Sequence, residues 1–209
     1  IIVVKQMFGG IGQNFVNPAL TARIILLNSF PSRMTHWVQP FDYAATADAV
    51  TTATPLGILK EGGGELPSYL DLFLGNTGGC LGETCALAIL IGFVWLVVTR
   101  TISPAIPVTY VATVAVISAL AGKPVLAELL AGGLLFGAVF MATDYVTSPF
   151  TLKGKIVFGL GLGIITCGIR YWANMAEGVS YAILFMNLMV PYINDLTRQK
   201  PLGAKKKGA

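Results

Sequence analysis

Long apolar runs separated by short polar segments fill the chain from about residue 80 onwards. A helix needs about 17–25 mostly apolar residues to cross a bilayer. The runs that approach or reach this length are Thr84–Val98 (extendable back to Cys80), Ile106–Ala121, Val125–Ala142, Ile156–Trp172 and the shorter Val179–Ile193, which contains Asn187 and Pro191. The pattern predicts an all-α fold, a polytopic bundle of transmembrane helices.

The first third of the chain is less regular. Pro18–Phe30 is an apolar run of somewhat over half the usual length, and Ile1–Val4 opens the chain inside an apolar run, without a Met or a signal-peptide pattern. We therefore expect an N-terminally truncated protein with a single membrane domain over residues 1–197. The segment 31–79 is predicted to be a loop, too short for a separate domain.

Two stretches interrupt the helical pattern, Phe8–Leu20 (FGGIGQNFVNPAL) and Phe140–Gly154 (FMATDYVTSPFTLKG). Each contains an Asn or Asp, an aromatic residue and Val, followed by small polar residues and Pro, which is a weak internal repeat. Asn17 and Ser148 precede the prolines as helix N-caps do. We interpret the stretches as discontinuous (broken) helices that line a cavity, as in transporters; ordinary connecting loops at the membrane surface are the alternative.

The composition also indicates a membrane protein. Hydrophobic residues make up 55% of the chain and charged residues 11%, and the mean hydropathy is +0.72, whereas soluble domains carry about 25% charged residues. The net charge is +4, but the Lys and Arg residues flank apolar runs or lie in a basic tail, residues 198–209. This distribution favours an anionic cytoplasmic membrane face and argues against nucleic acid as a partner.

The basic tail places the C-terminus in the cytoplasm, since Lys and Arg concentrate on that side. Counting the predicted helices back from the tail puts Arg100 inside and the loop 31–79 on the outer face. A minority of the basic residues falls outside in this arrangement, namely Arg33, Lys60, Lys123 and Arg170.

Residue types that bind metals are sparse. The cysteines are Cys80, Cys85 and Cys167, no C-x-x-C pair occurs, and His36 is the sole histidine. An all-protein iron–sulfur or zinc site needs about four ligands. The sequence therefore predicts no metal site, and the cysteines are expected to be small buried thiols in helices.

The loop contains the stretch ADAVTTATPLG, residues 47–57, which is rich in small and hydroxyl residues. Thr54 precedes Pro55 and is therefore expected to be extended, with little side-chain bulk around its hydroxyl. Asp48 lies upstream, where it is suited to binding or orienting a modifying enzyme. A plain linker is one interpretation, and a hydroxyl that accepts a large phosphoryl-linked group is the other.

The same stretch resembles the Asp-x-x-Ser/Thr-x-Ala-Thr signal of the flavin transferase that links FMN to the last threonine through a phosphoester. Asp48, Thr51, Ala53 and Thr54 occupy its fixed positions. The resemblance implies a covalent FMN on Thr54.

Five stretches in order, FGGIGQNFVNPAL, TTATPLGIL, GNTGGCLGETCALAIL, FGAVFMATDYVTSP and AEGVSYAILFMNLMVP, resemble the D subunit of the Rnf ion-translocating electron-transport complex. The B subunit of the sodium-pumping NADH:quinone reductase is related to it and has similar motifs. The resemblance runs from about Lys5 to Asp195 and matches the last two thirds of a family member. Thr52 departs from the Gly or Ser of many relatives, as Cys80 and Cys85 depart from a common Ser.

This resemblance implies a multi-pass subunit of a bacterial or archaeal inner-membrane complex, and not a stand-alone enzyme. Such a complex couples electron flow between ferredoxin and NAD⁺ to Na⁺ or H⁺ movement. The implied partners are other membrane and peripheral subunits (iron–sulfur and flavin subunits), the lipid bilayer and the flavin transferase. The resemblance leaves open a second flavin in the missing N-terminal part, the coupling ion and the choice between the two complexes.

The resemblance also places Asn17, Arg23 and Trp37 near the flavin. The residues alone allow a simpler interpretation, in which Asn17 is an N-cap and Trp37 an interfacial anchor. Arg23 lies in a short apolar run, where a cation needs a partner. A flavin phosphate, Asp144 or Glu83 would each provide one.

Glu83 and Asp144 are the candidates for ion coupling, because ionisable residues near membrane depth are functional by default. Glu83 also suits the start of a helix, where the macrodipole favours an anion. Asp144 lies among Thr143, Thr147 and Ser148, oxygen ligands that suit a hard cation. Glu128 is a weaker candidate.

Two functions of other classes fit the same pattern. Paired broken helices are equally consistent with a channel or facilitator for a small solute, in which case the loop is a linker. A structural scaffold between other membrane subunits is the third hypothesis.

Overall fold

The computed structural model describes residues 1–10, 12–35, 37, 54–61, 66–80, 82–173, 175 and 177–198. Asp48, Thr51, Ala53 and the basic tail from residue 199 lie outside the described residues. The α-helices within them are α1 (Pro18–Ser29), α2 (Pro31–Met34), α3 (Pro55–Glu61), α4 (Tyr69–Leu74), α5 (Ala86–Val98), α6 (Ala105–Leu120), α7 (Val125–Leu130), α8 (Leu134–Phe136), α9 (Leu152–Trp172) and α10 (Val179–Thr197). No strand occurs in this part of the chain, so the all-α prediction is confirmed for it.

Within the described part of the chain, two helices are long and apolar enough to cross a membrane. α9 has 21 residues with a mean hydropathy of 1.6, and α10 has 19 with 1.2. At 1.5 Å per residue, α9 spans about 30 Å, the thickness of a bilayer's hydrocarbon core. α5 and α6 are apolar but shorter. The length and composition of these helices are consistent with a membrane helical protein.

Among the described helices, α6 and α9 make the most extensive contact, and small residues on α9 make their close approach possible. A Cβ on Gly163 would lie 2.5 Å from the Thr113 side chain, and one on Gly159 would overlap Thr109. Small residues four apart on one helix face let two backbones approach in this way. Substitution of either glycine would therefore push α6 away from α9.

Polar contacts reinforce the same pair of helices. Tyr110 and Thr166 share a hydrogen bond of 2.6 Å in the fully buried core. Ser118 and Tyr171 share another of 2.8 Å. Hydrogen bonds between helices of this kind stabilise a membrane bundle because an unpaired hydroxyl in hydrocarbon is costly.

The predicted continuous span Val125–Ala142 is wrong. α7 ends at Leu130, Ala131 has an extended backbone (φ −81°, ψ 137°) and Gly132 has a φ of +71°. The chain resumes with α8 and continues as one π-helical turn, Gly137–Met141. The left-handed conformation at Gly132 ends the helix, since only glycine adopts it without a steric cost.

The two predicted interruptions fall where helices begin. Asn17 caps α1, with its side chain accepting from the N–H groups of Ala19 (3.0 Å) and Leu20 (3.3 Å), so this N-cap is confirmed. The cap predicted at Ser148 is wrong, because α9 starts later and Thr151 Oγ1 caps it by accepting from Gly154 N–H at 3.0 Å.

Part of the predicted loop 31–79 is helical. The short helices α2, α3 and α4 lie in it. Ser68 caps α4 by accepting from the Leu70 N–H, and Leu72 is buried. This region therefore folds onto the bundle and supplies walls for the site described next.

Candidate functional site

A cavity of about 570 Å³ lies where this region meets the bundle. Four of the residues singled out from the sequence line it together, namely Arg23, Trp37, Thr54 and Glu83. The wall also includes apolar and small residues of α1–α4, of the segment 77–84 and of the break between α7 and α8. Asn17 and Asp144 are not among the described residues that line it.

Thr54 places its hydroxyl at the start of α3. Its Oγ1 accepts from the Gly57 N–H at 3.2 Å, and its carbonyl accepts from the Ile58 N–H at 3.0 Å. Pro55 occupies the first helical position, where its missing N–H costs nothing. The residue is partly buried and lines the cavity. The start of α3 therefore fixes the Thr54 hydroxyl, and the residue lies in the wall of the cavity.

The break between α7 and α8 holds α3 in place. Leu56 follows Thr54 by two residues and is 4% exposed. A Cβ on Gly132 would overlap Leu56 Cδ1. Gly132 therefore permits the left-handed turn and also leaves room for the side chain of Leu56. Through this contact with Leu56, the bundle helps to position Thr54.

A second contact, a hydrogen bond from Lys60, holds the C-terminal end of α3. Lys60 Nζ donates to the carbonyl of Ala173 at 2.5 Å. Ala173 follows the last residue of α9, where the orphan carbonyls and the helix dipole favour a cation. Leu56 and Lys60 thus fix both turns of α3, the helix that follows Thr54.

Arg23 is the centre of an ion cluster in the cavity wall. Its Nη1 donates to Glu83 Oε1, and its Nη2 donates to Glu177 Oε2 at 3.2 Å. Of the partners considered from the sequence, the structure pairs Arg23 with Glu83. Glu177 was not identified from the sequence, where it is a lone acid before α10 with no local pattern around it.

Backbone groups from the α7–α8 break complete the cluster. The Gly133 N–H donates to Glu177 Oε1 at 3.0 Å. A Cβ on Gly133 would come within 2.9 Å of Glu83 Oε2. Two adjacent glycines thus shape the site. Gly132 leaves room for the side chain of Leu56, and Gly133 leaves room for the carboxyl group of Glu83.

The environment of Glu83 disfavours its charged form. Glu83 precedes α5 and is 6% exposed, so burial raises the pKa of its carboxyl group, and the nearby Glu177 raises it further. Arg23 acts in the opposite direction and does not cancel these effects. Burial penalises charge when water is removed, so the carboxyl group of Glu83 is more easily protonated than a free one.

Asn187 joins the two stretches that interrupt the helical pattern. It lies on α10 and is 2% exposed. With its amide oriented to satisfy both neighbours, its oxygen accepts from the Asn17 N–H at 3.2 Å and its nitrogen donates to the Thr147 carbonyl at 3.1 Å. One buried side chain thus holds the start of α1 and the segment before α9 in a fixed relation.

Asp144 lies in the second of these stretches. It is partly buried and accepts from Thr147 Oγ1 at 2.9 Å. Thr143 instead donates to the carbonyl of Val139 at 2.6 Å. One of the predicted oxygen neighbours is therefore hydrogen-bonded to the carboxylate in this structure.

Comparison with known proteins relates nearly the whole chain to one family. A model described as the NQR2, RnfD, RnfE family matches residues 1–203. The chain is 47% identical over 209 residues to the D subunit of the Na⁺-translocating ferredoxin:NAD⁺ oxidoreductase complex of Acetobacterium woodii. It is 40% identical to the D subunit of the proton-translocating ferredoxin:NAD⁺ oxidoreductase complex of Clostridium ljungdahlii and 38% identical to the D subunit of the ion-translocating oxidoreductase complex of Stutzerimonas stutzeri.

These matches cover nearly all of this chain but only part of each relative. The alignments include 98–99% of the chain. The chain spans 64% of the length of the relative from Acetobacterium woodii, 66% of that from Clostridium ljungdahlii and 68% of that from Stutzerimonas stutzeri.

Proposed function

This chain belongs to the NQR2, RnfD, RnfE family, and from that premise we propose that it is the membrane-embedded D subunit of an ion-translocating ferredoxin:NAD⁺ oxidoreductase complex. In this role it relays electrons through an FMN on Thr54 and couples their flow to Na⁺ or H⁺ transport. Other membrane and peripheral subunits, the iron–sulfur and flavin subunits among them, complete the complex. The observation that carries the proposal is the position of Thr54 in the wall of a cavity of about 570 Å³.

The residues around this cavity fit an FMN joined through its phosphate. Sites for cofactors commonly have volumes of about 300–1,000 Å³ and mostly apolar walls with a few polar groups. Thr54 supplies the attachment oxygen, Arg23 supplies a guanidinium suited to phosphate or to a polar ring edge, and Trp37 supplies an aromatic face. When bound, FMN supplies the electron-transfer chemistry. The protein's residues orient it and limit its contact with water.

The start of α3 serves the attachment directly. The Gly57 N–H now donates to Thr54 Oγ1, and an ester oxygen at the same place still accepts that bond. Leu56 and Lys60 hold the helix against the bundle. We expect the flavin transferase to act on the Asp48–Thr54 signal from the outer face.

For ion coupling we propose Asp144 and Glu83. Asp144 lies in the non-helical stretch before α9, and Asn187 ties that stretch to the start of α1. We interpret the two stretches as broken helices at membrane depth. Backbone groups there have no water to bind, so they need partners such as Asn187. The relatives named above differ in the translocated ion, so the ion stays Na⁺ or H⁺.

We place the protein in the inner membrane as a single multi-pass domain over residues 1–197. In this topology, the loop 31–79 with Thr54 lies on the outer face and the basic tail lies in the cytoplasm. A component like the B subunit of the sodium-pumping quinone reductase is the second candidate, because one family model covers both types. The names of the relatives favour the first, and they lend no support to a solute channel or a scaffold.

The intact mass of the purified, denatured protein tests the attachment. A phosphoester of FMN adds the mass of FMN minus one water. We expect one such increment, located by fragmentation on the peptide that contains Thr54. A denatured mass equal to that of the bare chain would contradict the covalent flavin.

A further inference from the structure

Two carboxyl groups and one guanidinium share the wall of the cavity. Glu83 and Glu177 each bind one arm of Arg23, which leaves one excess negative charge if both are ionised. Both carboxyl groups also meet Gly133, whose N–H donates to Glu177 Oε1 at 3.0 Å and where a Cβ would come within 2.9 Å of Glu83 Oε2. Two carboxylates that share one guanidinium in a partly buried wall favour a proton on one of the two.

Apart from Arg23, the described groups around Glu83 and Glu177 supply no positive charge that could take the place of this proton. Among the described residues, the titratable groups near the pair are Arg23 on α1, the Cys80 thiol beside Arg23, and Tyr110 on α6, which lies near Glu177. The α7–α8 break contributes the Gly133 N–H. Lys60 on α3 is directed away, to the Ala173 carbonyl. Two like charges on the same guanidinium disfavour a second ionisation.

We propose that Glu83 and Glu177 share one proton and form a proton-exchange site in the wall of the cofactor cavity. The two differ in access to water, with 34% of the Glu177 side chain exposed against 6% for Glu83. Glu177 therefore connects the pair to solvent, and Glu83 holds the proton inside. For the identity of the cofactor, this inference rests on the function proposed above.

The role of the Glu83–Glu177 pair follows from the negative charge that the cavity has to accommodate. A phosphodiester on Thr54 adds one fixed negative charge to the cavity, and each electron accepted there adds another. In a site of low dielectric, such charge is costly unless a proton accompanies it. The shared proton moves toward the added charge, and water refills the pair through Glu177. The reductant supplies the electrons, and one proton enters from water for each proton passed on.

Infrared spectroscopy of the purified protein tests the shared proton without any flavin. We expect the carbonyl band of a protonated carboxylic acid at neutral pH, lost in Glu177→Gln and in Glu83→Gln. Asp195→Asn, which changes an exposed acid on α10, should keep the band, and so should Thr54→Val. Absence of the band in the wild-type protein at neutral pH would overturn the proposal, whether or not flavin is attached.

A redox titration with a chemical reductant tests the exchange. We expect the midpoint potential of the attached flavin to depend less on pH in Glu177→Gln than in the wild-type protein, with the same amount of flavin bound. Equal pH dependence in both proteins would overturn the exchange role. If the denatured wild-type band carried no flavin, the function proposed for Thr54 would fail, while the infrared result would still decide whether the proton is shared.

Discussion

Arg170 on α9 donates from Nη1 to Glu128 Oε2 on α7 at 2.9 Å, and both side chains are buried. The same nitrogen donates to the Glu128 carbonyl at 2.8 Å. Glu128, a weaker ion-coupling candidate from the sequence, thus has a charged partner. The pair holds α7 against the C-terminal end of α9, close to Ala173, whose carbonyl accepts a hydrogen bond from Lys60.

We predict that Glu128→Gln destabilises the protein by about 3–5 kcal/mol, because removal of one partner leaves a buried, uncompensated charge. Thermal unfolding in detergent measures the effect. Arg33→Met, which removes an exposed cation on α2, is the control and should change stability little. In Arg170→Met/Glu128→Leu, which removes both charges, we expect much of the loss to be recovered. A stability of Glu128→Gln equal to that of the wild type would contradict the role given to the pair.

Gly132→Ala should destabilise the protein and loosen α3. Its φ of +71° costs an L-residue about 1–2 kcal/mol, and its Cβ would also overlap Leu56. Gly122→Ala is a matched control, because its φ is +68° and nothing lies within 4 Å of a Cβ there. We expect a larger loss of thermal stability and faster proteolysis near α3 in Gly132→Ala. Equal losses in the two variants would show that the overlap with Leu56 is relieved at no cost.

The sequence predicted the long helices well. The expected run Ile156–Trp172 lies within α9, and Pro18–Phe30 ends one residue beyond α1. An uninterrupted apolar run carries enough local information for α9, and Pro18 at the first turn adds to it for α1. The break at Ala131–Gly133 was missed because it lies inside an apolar run. Its cause includes a contact with Leu56, which is distant in sequence.

The site was predicted only in part, because some of its contacts also join residues that are distant in sequence. Thr54 was identified by a local pattern, whereas Glu177 has none. Its role arises because it meets Arg23, which is 154 residues away, and Gly133, which is 44 residues away. Such a cluster of charges exists only after the bundle has folded, so a single sequence does not reveal it.

Thr54→Val should abolish the flavin fluorescence of the denatured protein. Valine keeps the shape of the side chain but lacks the oxygen that forms the ester. Thr77→Val is the matched control, since Thr77 lines the same cavity, and it should retain the fluorescence. In-gel fluorescence normalised to the amount of protein is the measurement. Fluorescence that persists in Thr54→Val would place the flavin on another residue.

The outer position that we propose for α3 predicts labelling from outside the cell. A cysteine at Lys60, in a background without the three native cysteines, should react with an impermeant thiol reagent added to intact cells. One at Lys205 should react only after the membrane is permeabilised. Lys60 is exposed, so access on its own side is not limiting. The reverse pattern would place Thr54 in the cytoplasm.

Asp144→Asn should uncouple ion movement from electron transfer. A carboxylate at the bilayer centre costs about 2.5–3.5 kcal/mol on insertion scales, and the hydrogen bond from Thr147 Oγ1 at 2.9 Å offsets only part of this. A cation bound for part of the cycle would offset more. Asparagine still accepts that hydrogen bond but has no charge, so the fold should be kept and the cation lost.

The measurement for Asp144→Asn is ion uptake into vesicles per electron transferred, with the flavin content of the protein as the internal control. Flavin on Thr54 should remain, because Asp144 is not among the described residues lining that cavity. Asp71→Asn, which changes an acid on α4, should leave the ratio unchanged. Since only the charge differs at position 144, a normal ratio at a normal rate would mean that the carboxylate serves structure alone, as the partner of Thr147.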